Sequence, residues 1–157
     1  MSRQRNELHL QQVEAWKKLN QGLSSEEMNQ LLIKAISALR LRSLKTLSNV
    51  TVTAVTDRTI RTAKENFSIL SDVSSDDTGI HFGPLLDQLT EAEKSEAQVA
   101  LQDFLIELLD VFGKITAEIL TKYLHQELMT VTLHTVVTQI DPSKKPRLGI
   151  VKNREKK

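Results

Sequence analysis

Residues 97–115 read Ala97-Gln-Val-Ala-Leu101-Gln-Asp-Phe104-Leu-Ile-Glu-Leu108-Leu-Asp-Val111-Phe-Gly113-Lys-Ile115. Ala97, Leu101, Phe104, Leu108, Val111 and Ile115 alternate steps of four and three, the spacing of a helix that shows a seam to a partner helix. Read outward, the pattern predicts one helix from Thr90 to Ile140. Thr90-Glu91-Ala92-Glu93 opens it with a capping box and with acids where the helix dipole favours them, and Pro142 stops it. Past Ile115 the apolar positions drift through Ile119, Leu120, Tyr123, Leu124, Leu128 and Val131, so the buried face rotates along the axis. Gly113 costs about 1 kcal/mol against Ala in a helix interior. With Ala117 it forms a small-residue face that admits a second backbone, or it marks a kink. Met129 to Gln139 is rich in Thr and Val and is compatible with a strand.

A second long segment runs from Ser24 to Leu70. Gly22 closes the preceding helix, and Ser24-Ser25-Glu26-Glu27 is another capping box. Met28, Leu31, Leu32, Ala35, Ile36 and Leu39 form its apolar stripe. Val50-Thr51-Val52-Thr53-Ala54 alternates as a half-buried strand does, yet no Gly or Pro flanks it, and Ile60, Ala63, Phe67 and Leu70 resume helical steps. The expectation over residues 48–56 is therefore helix, with threonine hydroxyls bonding back to the preceding turn. Residues 3–19 give a short amphipathic helix through Leu8, Val13, Trp16 and Leu19, with Trp16 as a core or interface anchor. Ser71 to Gly83 reads as a loop pinned by Ile80 and Phe82, and Pro84 to Leu89 as one helical turn.

The fold class expected is all-α: an antiparallel helical bundle of long, bent or broken helices over residues 1–141, followed by a basic, disordered tail over 142–157. Unbroken helices of this length would span ~70 Å, beyond the diameter of a monomer this size. Either they break or two chains pair, and the expectation is a homodimer, because two stripes and one short helix leave apolar surface uncovered.

Composition narrows the function. Hydrophobic residues at 39% and charged residues at 26% are ordinary, and only 3 Pro and 5 Gly suit long helices with few turns. The absence of cysteine removes disulfides, thiolate metal sites and a cysteine nucleophile. No window approaches the ~18 apolar residues of a membrane span, and the charged start is unlike a signal peptide. A cytoplasmic protein without a transmembrane segment is expected, in which the Asn-x-Thr and Asn-x-Ser triplets at Asn49 and Asn66 are chance matches. Lys144, Lys145, Arg147, Lys152, Arg154, Lys156 and Lys157 against Glu155 give residues 142–157 a charge of +6, leaving −5 on residues 1–141 of a chain whose net charge is +1.

The four histidines form no metal-ligand spacing, and His125 and His134 fall on opposite faces of one helix, so surface or capping roles are expected and no metal or cofactor. Glu107 with Asp110, and Glu118 with Lys122, read as surface pairs. No phosphate loop, nucleophile elbow or dinucleotide fingerprint occurs. His125-Gln126-Glu127-Leu128 resembles the His-x-Glu-Leu core of the phospho-accepting helix of sensor histidine kinases. The resemblance implies a phosphoacceptor at His125 assisted by Glu127. It covers four residues, and Met129-Thr130-Val131 then departs from the family's basic residue, Thr and Pro.

The function expected is a non-catalytic helical regulatory module of the signalling kind. It self-associates and binds a partner protein through Ala97, Leu101, Phe104, Leu108, Val111, Gly113, Ala117 and Trp16. Histidine phosphotransfer at His125 is one alternative. Nucleic-acid or anionic-membrane binding through the tail bases is the other.

Overall fold

A computed structural model describes residues 2–83 and 89–133. The helical turn expected within Pro84–Gln88, the segment His134–Ile140 and the tail over 142–157 lie outside the described residues. Among the described residues five α-helices occur: α1 (Ser2–Leu19), α2 (Ser25–Ser43), α3 (Asn49–Asn66), α4 (Glu91–Ile115) and α5 (Ile119–Thr130). A short 3-10 helix at Ser68–Leu70 leads from α3 to a hairpin of β1 (Ser74–Asp76) and β2 (Gly79–His81).

Both capping boxes form as the sequence dictates. The Ser24 and Thr90 side chains accept from the Glu27 and Glu93 amides, while each glutamate accepts from its cap's own backbone N–H. The expected long segments each break, however, and neither break uses Pro or a Gly at the turn. Between α2 and α3 the Ser43 hydroxyl bonds back to the Leu39 carbonyl at 2.9 Å, and Ser48 restarts the chain by accepting from the Thr51 amide at 3.1 Å. Within α3, Thr56 and Thr59 bond back to the Val52 and Val55 carbonyls at 2.7 and 2.8 Å. These hydroxyls are satisfied inside the helix, so the alternating segment is helix and not strand.

The Thr90–Ile140 helix is corrected to α4, a turn, and α5. The Glu118 amide donates to the Gly113 carbonyl at 2.7 Å and the Ala117 amide to the Lys114 carbonyl at 3.2 Å, the paired bonds of a Schellman ending. Ala117 (φ 53°) and Glu118 (φ 70°) are both left-handed. Gly113 lies under this turn: a Cβ there would meet the Thr121 hydroxyl at 2.7 Å and a Glu118 carboxylate oxygen at 2.8 Å. The glycine therefore admits its own chain's turn. After α5, Val131 is already extended (φ −82°, ψ 123°).

α2 and α4 pack as the central pair, with α1, α3 and α5 arranged on α4 and α5 also against α2. Trp16, Phe104, Phe112, Leu31, Leu32, Ile36 and Leu39 are fully buried, each contributing on the order of 2 kcal/mol of apolar burial. The interhelical space around Phe104, Ile60 and Leu70 has no room for a water molecule. Ile80 and Phe82 pack partly buried on this core, and the Arg40 guanidinium donates to the Asp77 carbonyl at 3.3 Å, so the hairpin is tied to α2. Among the described residues the longest helix has 25 residues, and the stripes of α2 and α4 are buried within the chain.

Candidate functional site

α4 presents two faces. On its inward face Ala97, Leu101 and Leu108 are 0% and Phe104 is 1% exposed, so the residues expected at an interface are buried by the chain itself. Val111 is half-buried, Gly113 is covered by the α4–α5 turn, and Ala117 is exposed on that turn. Trp16 is buried and its indole N–H donates to the Val131 carbonyl at 2.9 Å, which makes it an internal clamp between α1 and the end of α5. A second chain reaching for this seam would meet side chains already packed.

On α1 the buried stripe is His9, Val13 and Trp16, while Leu8, Leu10 and Leu19 are exposed. The expected stripe through Leu8 and Leu19 is thus displaced by one helical position toward His9. The reason is across the interface: His9 Nδ1 lies 2.9 Å from His125 Nε2, with the rings edge to face at 5.1 Å between centroids. His9 is 1% exposed, so it is a core residue and not the surface or capping histidine expected. Burial, then the nearby His9, pushes His125 down to about 4, against a smaller opposing pull from Glu118. The imidazole is therefore neutral near pH 7, with one nitrogen engaged by His9. Glu127, two residues along α5, points away from it, and its carbonyl accepts from the Thr130 hydroxyl at 2.7 Å. The geometry gives His125 a packing partner in place of the carboxylate the kinase resemblance implies.

The outward face of α4 is different. Val99, Gln102, Asp103 and Ile106, at steps of three, one and three, floor an open groove of about 370 Å³ whose walls include Leu10 and Phe67. Val99 is 60% and Leu10 40% exposed. The α1 wall is held by a polar chain: Lys17 Nζ donates to Gln102 Oε1 at 2.6 Å, and Gln102 Nε2 donates to Glu14 Oε2 at 3.1 Å. Asp103 and Lys17 are the charged residues of the groove's lining. Its surroundings push the Asp103 carboxyl up through desolvation. Desolvation, then Asp110 and Asp103, push Glu107 up, with Lys114 and Arg58 opposing. Asp110 is 2% exposed and paired with Lys114 at 2.8 Å, so the surface pair expected for Glu107 and Asp110 is instead one buried and one half-buried carboxylate.

Sequence reasoning missed this groove. Of its lining only Phe67 lies on a predicted stripe, and on α4 only the pair Val99 and Ile106, apolar seven residues apart outside the seam, hinted at it. The remaining polar constellation is on the hairpin turn. Asp76 Oδ1 accepts from the Thr78 amide at 2.8 Å and lies 3.1 Å from His81 Nε2, which holds the carboxylate well below its usual range, chiefly through the Thr78 hydroxyl. This is turn chemistry on an exposed loop. Among the described residues no group of three or more His, Asp or Glu is placed to hold a metal, and no helix is long and apolar enough to cross a membrane. The tail bases Lys144 to Lys157 and His134 lie outside the described residues. Set beside known families, curated proteins and solved structures, the chain matches none of them.

Proposed function

We propose that this chain is a non-catalytic helical interaction module whose docking face is the groove between α1 and α4, and whose ligand is a short segment of a partner protein carrying bases beside apolar residues. The observation that carries the reading is the pairing, in one groove, of exposed Leu10 and Val99 with the Asp103 carboxyl, whose charge is disfavoured by its surroundings. Apolar side chains left in water gain by being covered, and carboxyls whose charge is disfavoured by their surroundings gain from a nearby cation. A ligand offering both satisfies the groove, whereas a purely apolar ligand would bury the acid unpaired. Reversible docking of this kind suits a regulatory part in signalling.

The probe is a fluorescently labelled synthetic peptide, Lys-Lys-Pro-Arg-Leu-Gly-Ile-Val-Lys, titrated with the full chain and followed by anisotropy. Saturable binding that weakens about tenfold in Asp103→Lys, equivalent to about 1.4 kcal/mol, and weakens further with added salt is the expected result. Binding unaffected by both Asp103→Lys and Val99→Glu would refute the groove as the docking face.

A further inference from the structure

α1 is held to the rest of the fold by a narrow contact that includes a titratable pair. Among its described residues only His9, Val13 and Trp16 are buried, whereas α2 and α4 each bury ten residues. We propose that acid releases α1 from the bundle as a unit, by breaking the contact between His9 and His125, while α2 to α5 stay packed. The fold thereby carries a local opening that responds to pH well before the core does.

The contact itself sets the response. At 2.9 Å, one of His9 Nδ1 and His125 Nε2 donates a proton and the other accepts it. Protonating both rings leaves two donors facing each other with no acceptor between them. His9 is 1% exposed, so charge at this contact is poorly solvated. Among the described residues the titratable groups that act on His125 are His9 from α1, which disfavours its charge, and Glu118 at the start of α5, which favours it less strongly. α2 and α4, which also pack against α5, contribute none. A released ring meets water and protonates near 6.5, while the packed His125 stays neutral down to about 4. The released state therefore binds protons more tightly, and acid favours it.

The rest of α1 permits the motion. Its remaining ties are single hydrogen bonds, from the Trp16 indole to the Val131 carbonyl and from Lys17 to Gln102 and Gln102 to Glu14. Gly22 (φ +91°) stands between α1 and α2 with open space where a Cβ would sit. Ser24 and Glu27 cap α2 within its own first turn, so α2 keeps its start when α1 leaves. Release also takes away the wall that Leu10 and Lys17 give the groove.

The chain has no cysteine and one tryptophan, which allows a direct test. Val13→Cys on α1 and Leu32→Cys on α2, both at positions 0% exposed, are labelled with dithiodipyridine and compared at each pH with a free cysteine peptide. Between about pH 7 and pH 5 the relative labelling of Val13→Cys should rise roughly twentyfold, the linkage expected of one proton taken up by His125. Leu32→Cys should change far less, and His125→Gln should remove most of the rise at Val13→Cys. In the unsubstituted chain, acrylamide quenching of Trp16 should increase toward pH 4 while far-UV helicity largely persists. Equal rises at both cysteines, or loss of helicity together with Trp16 burial, would overturn release of α1 as a unit. No rise, or a rise unchanged in His125→Gln, would overturn the histidine contact as its trigger. These rates are read without peptide and stand whether or not the groove binds one.

Discussion

The two faces of α4 share one backbone and both carry apolar side chains, yet they have opposite fates. Leu101, Phe104 and Leu108 are sealed by the chain's own helices, whereas Val99 and Ile106, on the same turns, floor an open groove. The difference lies in what the other helices leave uncovered: α1 and α3 flank the outer face without meeting over it. A heptad-like seam therefore reports where a helix packs, and says nothing of whether its partner is the same chain or another.

Substitutions along α4 should separate the faces most sharply. Phe104→Ala should cost about 3–5 kcal/mol of unfolding free energy through lost burial and a residual cavity, read by urea denaturation. A cost below about 1 kcal/mol would mean that the seam is not the core. Next is the contact between α1 and α5. The folded His125 ring stays neutral down to about 4 while the unfolded ring protonates near 6.5. Protons are thus taken up on unfolding between these values, and stability should fall as pH drops from about 6.5 toward 4. His125→Gln should flatten that part of the profile, and an unchanged slope would remove His125 as its origin.

Smaller effects test the ends of α4. Thr90→Ala should cost about 1 kcal/mol by leaving the Glu93 amide without its cap. Ala117→Gly should raise stability by about 1 kcal/mol, because glycine adopts φ 53° without the penalty an L side chain pays. A loss on Ala117→Gly would show that the left-handed turn is not populated in solution. Smallest of all, Val99→Ala should change stability by less than about 0.5 kcal/mol, since a 60% exposed side chain has little burial to lose.

The legible part of this fold was the part written in local chemistry. Ser24 with Glu27 and Thr90 with Glu93 announced two helix starts correctly, and the helical steps of Ile60, Ala63 and Phe67 decided against a strand at residues 50–54. The breaks were illegible for a physical reason. Ser48 caps α3 without a glutamate three residues on to mark a capping box, and the Schellman turn uses Ala117 where glycine is the usual signal. His9 and His125 are 116 residues apart in sequence, so their contact exists only once α1 lies on α5. The groove was least legible, because an open face is defined by the arrangement of its neighbours and not by its own residues.

The most direct test of the account is a methyl NMR titration of the full chain with the labelled peptide's sequence, comparing Val99 and Ile106 with Leu101 and Leu108. The account predicts that the Val99 and Ile106 methyl signals move together and saturate while those of Leu101 and Leu108 stay in place. Shifts centred on Leu101 and Leu108 would contradict it, because they would mean that the sealed seam, and not the open groove, is where a partner binds.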